Sequence, residues 1–125
     1  MSNQQTELHW LKLESLDQIQ GIKERSKENP VLIFKHSTSC SISRTMLDRF
    51  ARNWKQEEMN DMKVFCLDLL KHRDVSNQIE IEFDVEHESP QVILIENEQA
   101  VYDRSHLSID YRDLLTYSRN NSAKN

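Results

Sequence analysis

The 125-residue sequence contains one glycine, two prolines and two cysteines, and each scarcity excludes something. The single glycine, Gly21, rules out dinucleotide-binding and P-loop phosphate cradles, which need several glycines to bring backbone N–H groups close to phosphate. Two cysteines are too few for a four-thiolate zinc site, or for the disulfide framework that staples small secreted domains. There is no basic excess either: 16 Lys plus Arg against 21 Asp plus Glu leave a net charge of -5. That balance argues against non-specific nucleic-acid binding and against an anionic membrane surface. Long apolar runs are also missing. Runs such as Val31 to Phe34 and Val92 to Ile95 are far too short to span a bilayer. Ser2 to Glu7 is polar, and His9 and Lys12 interrupt the apolar positions of Leu8 to Leu13, so no targeting signal is evident. The expectation is a cytoplasmic protein with neither a nucleic-acid nor a membrane partner. Its thiols stay reduced, and each cysteine is weighed as a reactive group or as core filler.

What is present is an alternation of strand-like and helix-like segments. At this length a single domain over residues 1–125 is expected, burying about two-thirds of the surface its unfolded chain exposes. His9 to Leu13 reads as a short strand. Ser15, with Gln18 three residues on, has the form of a capping box opening a helix with Leu16, Ile19 and Ile22 at helical spacing. Gly21 and the polar Lys23 to Asn29 stretch bring that helix to its end. Val31-Leu32-Ile33-Phe34 is continuous enough for a central strand buried on both faces. Met46, Leu47, Phe50, Ala51 and Trp54 then form an amphipathic pattern, and the hydroxylated residues before it place the helix start at or beside Cys40. Val64 to Leu67 is a second buried strand, parallel to the first because a long helix connects them. Asp74 or a neighbour caps a helix with Val75, Ile79 and Phe83. Ser89-Pro90 precedes a strand from Gln91 to Ile95, and Glu96 to Gln99 is short enough for a hairpin into Ala100 to Arg104. A last helix starts near Ser108 with Ile109, Leu114 and Leu115 inward, and the polar tail from about Ser118 is expected to fray. The order βαβαβαββα, with a mixed central sheet and helices on both faces, is that of an α/β thioredoxin-like fold.

The chemistry concentrates at Cys40. Unpaired N–H groups and the positive end of the helix dipole favour a thiolate at a helix start. An interaction of up to about 2 kcal/mol lowers a thiol pKa by about 1.5 units, from about 8.5 to near 7. The hydroxyl-rich setting of Ser39 and Ser41 is a poor place to bury a cysteine as filler, and Ser43 is one helical turn away. Arg44 adds charge but is more simply read as solvated. Cys66, between Phe65 and Leu67 in a presumed central strand, is read as core, its pKa raised by desolvation. His36 is read as a solvated loop residue. Together with Cys40 it finds no further ligands at metal-binding spacing, so no metal is expected. His9, His72, His87 and His106 are scattered and receive no catalytic role. Pro90 marks a strand start. In a thioredoxin-like domain it also sits beside the active thiol, typically cis, and frees the backbone of Ser89 to pair with a bound peptide or thiol.

The run Phe34-Lys35-His36-Ser37-Thr38-Ser39-Cys40-Ser41-Ile42-Ser43 resembles the YtxJ family of monothiol bacilliredoxins. So do Val75-Ser76-Asn77 leading toward Phe83, His87-Glu88-Ser89-Pro90-Gln91-Val92, and Ser105-His106-Leu107-Ser108-Ile109. The resemblance implies a thioredoxin-like fold and bacillithiol redox chemistry in the cytoplasm of Gram-positive bacteria, with no bound cofactor. Bacillithiol would be a co-substrate and bacillithiolated client proteins the partners. It makes Cys40 the attacking cysteine and puts Ser43 where a dithiol relative has its resolving cysteine. Ser41 stands where the family commonly has proline, which leaves the helix start less rigid. Removal of bacillithiol from mixed disulfides is the expected activity. Two other readings stay open: an exchanger of glutaredoxin type using another low-molecular-weight thiol, and a thioredoxin-like redox-sensing or binding module.

Overall fold

A strand of four successive apolar residues needs cover on both faces. Strand β2 (Val31–His36) is buried at every position and lies at the centre of a five-stranded sheet. A computed structural model describes residues 10–37, 41–55, 62–105 and 109–123, without the side chains of residues 42, 43 and 118–123. Around β2 the chain forms β1 (Trp10–Lys12), α1 (Asp17–Arg25), α2 (Ser41–Asn53), β3 (Lys63–Asp68), α3 (Arg73–Phe83), β4 (Gln91–Glu96), β5 (Gln99–Ser105) and α4 (Tyr111–Ala123). This is the βαβαβαββα succession read from the sequence. Across the sheet the order is β1-β3-β2-β4-β5. β3 runs parallel to β1 and β2, and β4 antiparallel to β2 and β5. The β4–β5 turn has two central residues, Asn97 and Glu98, with φ of 55° and 68°. Such left-handed turns match the twist of the strands they join.

Side chains alternate along β2 and divide the core in two. Val31 and Ile33 pack with Ile19 and Ile22 of α1 and with Val75, Ile79 and Phe83 of α3. Leu32 and Phe34 face the other way, against Phe50 of α2, Trp54 just beyond it and Leu114 of α4. The helices therefore cover both faces. The second cluster is aromatic: the Phe50 ring centroid lies 5.3 Å from Phe34 and 5.6 Å from Trp54, in the edge-on and tilted geometries that ring quadrupoles favour. Among the described residues no helix is long and apolar enough to cross a membrane.

Four local expectations change. The Ser15–Gln18 box forms by half: α1 opens after Leu16 with no side-chain cap, while Gln18 reaches back. Its Oε1 accepts from the N–H groups of Glu14 (2.6 Å) and Ser15 (3.0 Å), and its Nε2 donates to the Lys12 carbonyl at 2.9 Å. The longer glutamine side chain thus caps the exit from β1 as well. α3 likewise starts after His72 without a side-chain cap; Asp74 lies inside its first turn, where it complements the helix dipole. α4 continues to Ala123, past Ser118. Once a helix is nucleated each added residue gains a hydrogen bond, so the ladder outlasts the apolar pattern. Gly21, finally, does not end α1, which runs through it to Arg25.

A methyl group added at Gly21 would meet nothing within 4 Å. Gly21→Ala should therefore stabilise the protein by about 0.5–1 kcal/mol through reduced unfolded-chain entropy, read as a higher urea midpoint at unchanged slope. A lower midpoint would contradict the open space around this position.

Candidate active site

The sheet brings the two sequence-identified regions to one end of the molecule. β2 ends at His36, the buried Ser37 follows, and α2 opens at Ser41. The described part of α2 thus begins at the residue that follows Cys40 in the sequence. Ser39 and Cys40 themselves lie outside the described residues, and so does any distance from Cys40 to Cys66. Ser41 and Arg44 are exposed, and Ser43 belongs to the first turn of α2. On the neighbouring strand, Lys35 pairs with Gln91 in antiparallel register. Continued by one residue, that register sets Pro90 beside His36. Pro90 is buried, Ser89 half-buried, and the bond between them is cis. Ser89-Pro90 thus lies alongside the residues that lead into the Cys40 segment.

The last two residues of β2 depart from expectation. His36 is a buried strand residue and not a solvated loop residue, because the sheet continues two positions beyond the apolar run. Burial lowers its pKa against the opposing pull of Asp68, and its Nδ1 has no hydrogen-bond partner among the described residues. It borders a cavity of about 210 Å³ at the carboxyl ends of β1, β3 and β2, together with Cys66, Asp68, Lys12 and His72. Cys66 packs against the aromatic core and is partly buried, with one side bordering this cavity. Burial nonetheless pushes its thiol up to about 12. Among the described residues no group of His, Cys, Asp or Glu is arranged to hold a metal ion.

Lys35 is the residue that sequence reasoning missed. It is fully buried, on the α3 side of the sheet. Its Nζ lies 3.3 Å from His87 Nδ1 and 3.5 Å from the Ser76 carbonyl, and the Ser76 hydroxyl lies 3.3 Å from the same Nδ1. Burial lowers the Lys35 pKa to about 8, opposed by Glu80. The His87 pKa is lowered by burial and then by the Lys35 ammonium, against Glu80 and Glu88. The available signal was position: a lysine directly after four apolar residues of a doubly covered strand has little chance of reaching water.

The high pKa of Cys66 yields a direct expectation. At pH 8 its thiolate population is on the order of a thousandfold below that of an ordinary thiol. In the native protein iodoacetamide should leave the Cys66 peptide unmodified and should label it promptly after unfolding in urea, as read by peptide mass spectrometry. Prompt native labelling of Cys66 would mean a thiolate far more accessible than this environment permits.

The family model of the monothiol bacilliredoxin BrxC matches residues 11–114. Among solved structures, a thioredoxin-fold protein proposed to be an oxidoreductase is 31% identical, with a TM-score of 0.74 over 91% of this chain and 96% of that one. A thioredoxin from Malassezia sympodialis is 13% identical (TM-score 0.68, covering 90% of each chain). Thioredoxin f from spinach chloroplast is 15% identical (TM-score 0.67, covering 95% of this chain and 93% of that one). These two share the thioredoxin fold.

Proposed function

Because the chain belongs to the monothiol bacilliredoxin family, we propose that it removes bacillithiol from protein mixed disulfides by thiol exchange at Cys40. The coarser statement, a thioredoxin-fold protein of thiol redox function, follows from the family and from the 31% identical structure. The finer reading is supported by one observation: in sequence Cys40 lies between the carboxyl end of the central strand, which closes at His36, and α2, described from Ser41. The dipole of a helix start favours the thiolate, which is the attacking species.

In the first step the Cys40 thiolate attacks the bacillithiol sulfur of the mixed disulfide. A Cys40–bacillithiol bond forms, the client–bacillithiol bond breaks, and the client leaves as a thiolate that takes a proton from solvent. In the second step a bacillithiol thiolate attacks the sulfur of the adduct, regenerating Cys40 and releasing the bacillithiol disulfide. The exchange conserves electrons: one client disulfide is reduced as one low-molecular-weight disulfide forms. A serine hydroxyl cannot displace a thiolate from a disulfide, so Ser43 does not resolve the adduct and the second thiol comes from outside the chain. The backbone at Ser89-Pro90 pairs with the incoming client. Bacillithiol acts as co-substrate, bacillithiolated proteins are the partners, and the reducing cytoplasm of Gram-positive bacteria is the setting.

The test is turnover on a bacillithiolated protein, with Cys40→Ala and Cys66→Ala compared side by side and with bacillithiol, glutathione and coenzyme A as alternative reductants. Cys40→Ala should lose activity to background, on the order of a thousandfold or more for loss of a covalent nucleophile. Cys66→Ala should stay within about twofold, and bacillithiol should be the preferred reductant. Full activity in Cys40→Ala, or an adduct found on Cys66, would overturn the assignment. Preference for glutathione or coenzyme A would move the activity to another thiol.

A further inference from the structure

The segment between α3 and β4 is fastened from several sides. α3 ends at Asp84 in the left-handed region with φ of 54°, and Val85 anchors the segment in the core. The buried Gln91 holds it from below, its Nε2 donating to the Glu86 carbonyl at 2.9 Å and its Oε1 accepting from the Glu88 N–H at 3.3 Å. Glu80 of α3 accepts from the His87 N–H at 3.4 Å. The ring of His87 meets Ser76 of α3 and the buried Lys35 of β2. Gln91 and Lys35 are themselves cross-strand partners. Two residues beyond His87 lies Ser89-Pro90.

We propose that Lys35 is a positioning residue: by donating to His87 Nδ1 from within the core, it locks the segment ahead of Pro90 against α3 and so sets how well that segment grips the client. The inference rests on the proposed role of Ser89-Pro90 in binding. A lysine is a demanding choice here, because a buried ammonium must be satisfied. The available acceptors are a carbonyl on α3 and a ring nitrogen on the segment itself, so the ammonium bridges the two. The contact requires His87 to be neutral, with Nδ1 unprotonated and the proton on Nε2. A proton on Nδ1 would face the Lys35 ammonium directly, and the remaining charges near the ring, Glu80 and Arg73 of α3 and Glu88 of the segment, are of mixed sign. Hence the lock holds at neutral pH, where Lys35 is charged and His87 is not. It opens as pH falls through the His87 pKa, which burial and the Lys35 ammonium hold below the ordinary histidine value.

Lys35→Met, His87→Leu and His87→Gln test the lock. Methionine matches the lysine stem without its charge, so it relieves the desolvation cost of the ammonium, which offsets the loss of its two hydrogen bonds. Urea stability of Lys35→Met should therefore not fall. Its His87 and Glu88 amides, which donate to Glu80 and Gln91, should nevertheless exchange with deuterium about tenfold faster while the β2 amides stay protected. KM for the bacillithiolated client should rise about fivefold with kcat within about twofold, a split that general destabilisation does not produce. His87→Leu should show the same changes in exchange and KM, with a lower urea midpoint because the buried ammonium keeps only the Ser76 carbonyl. In the native protein KM should rise as pH falls through the lowered His87 pKa, whereas His87→Gln, whose amide oxygen accepts from Lys35 at any pH, should keep a low KM and lose that acid limb. Wild-type exchange at His87 and Glu88 in Lys35→Met, or an acid limb that persists in His87→Gln, would overturn the proposal. Faster exchange with unchanged KM would also overturn it. That outcome leaves the nucleophile untouched, since Cys40→Ala turnover decides that separately.

Discussion

The double burial of β2 is the constraint on which the rest of the molecule depends. A strand covered on both faces must be apolar on both, which Val31 to Phe34 provide, and it must be flanked by strands on both edges, which β3 and β4 supply. That cover does not stop where the apolar residues stop. β2 continues through Lys35 and His36, and alternation sends one toward α3 and the other toward the cavity beside Cys66. Two groups capable of positive charge are thereby held in the core immediately before the Cys40 segment, and burial lowers the pKa of both. The same burial that makes β2 a rigid platform loads its end with polar groups whose partners must come from other elements.

Much of the fold was legible because it rests on local periodicity. The apolar runs of β2, β3 and β4, the helical stripe of α2 and the short polar turn after Glu96 each encode their element directly, and their succession specifies the mixed sheet. Pro90 could be placed at the carboxyl end of β2 once that topology was assumed, and the β2–β4 register, continued by one residue, sets it beside His36. What escaped depends on partners distant in sequence. Lys35 meets a histidine 52 positions away, and neither residue carries a local sign of the other. His87 looked like one of several scattered histidines for the same reason. Cys66 was read as sealed from its apolar neighbours, but its exposure is decided by the cavity that the ends of β1 and β3 leave open. At Gly21 propensity misled: a glycine usually marks an end, but here the packing of Ile19 and Ile22 carries α1 past it.

Ser26, at the opposite end of the molecule from Pro90, gives the fold another property. It is buried just beyond α1, and its main chain and hydroxyl together make four hydrogen bonds. Its N–H donates to the Ile22 carbonyl, and its hydroxyl donates to the Lys23 carbonyl. Its carbonyl accepts from the Asn97 N–H, and the same hydroxyl accepts from the Glu98 N–H, each at 2.8 Å. One small side chain therefore clips the tip of the β4–β5 hairpin to the helix that joins β1 and β2. The parallel half of the sheet and its antiparallel half share a polar fastening as well as a common central strand. Peeling the hairpin away would break both of these hydrogen bonds and uncover the buried Ser26. The two halves are thereby coupled into a single cooperative unit, and the platform that carries the Cys40 segment cannot loosen from one side alone.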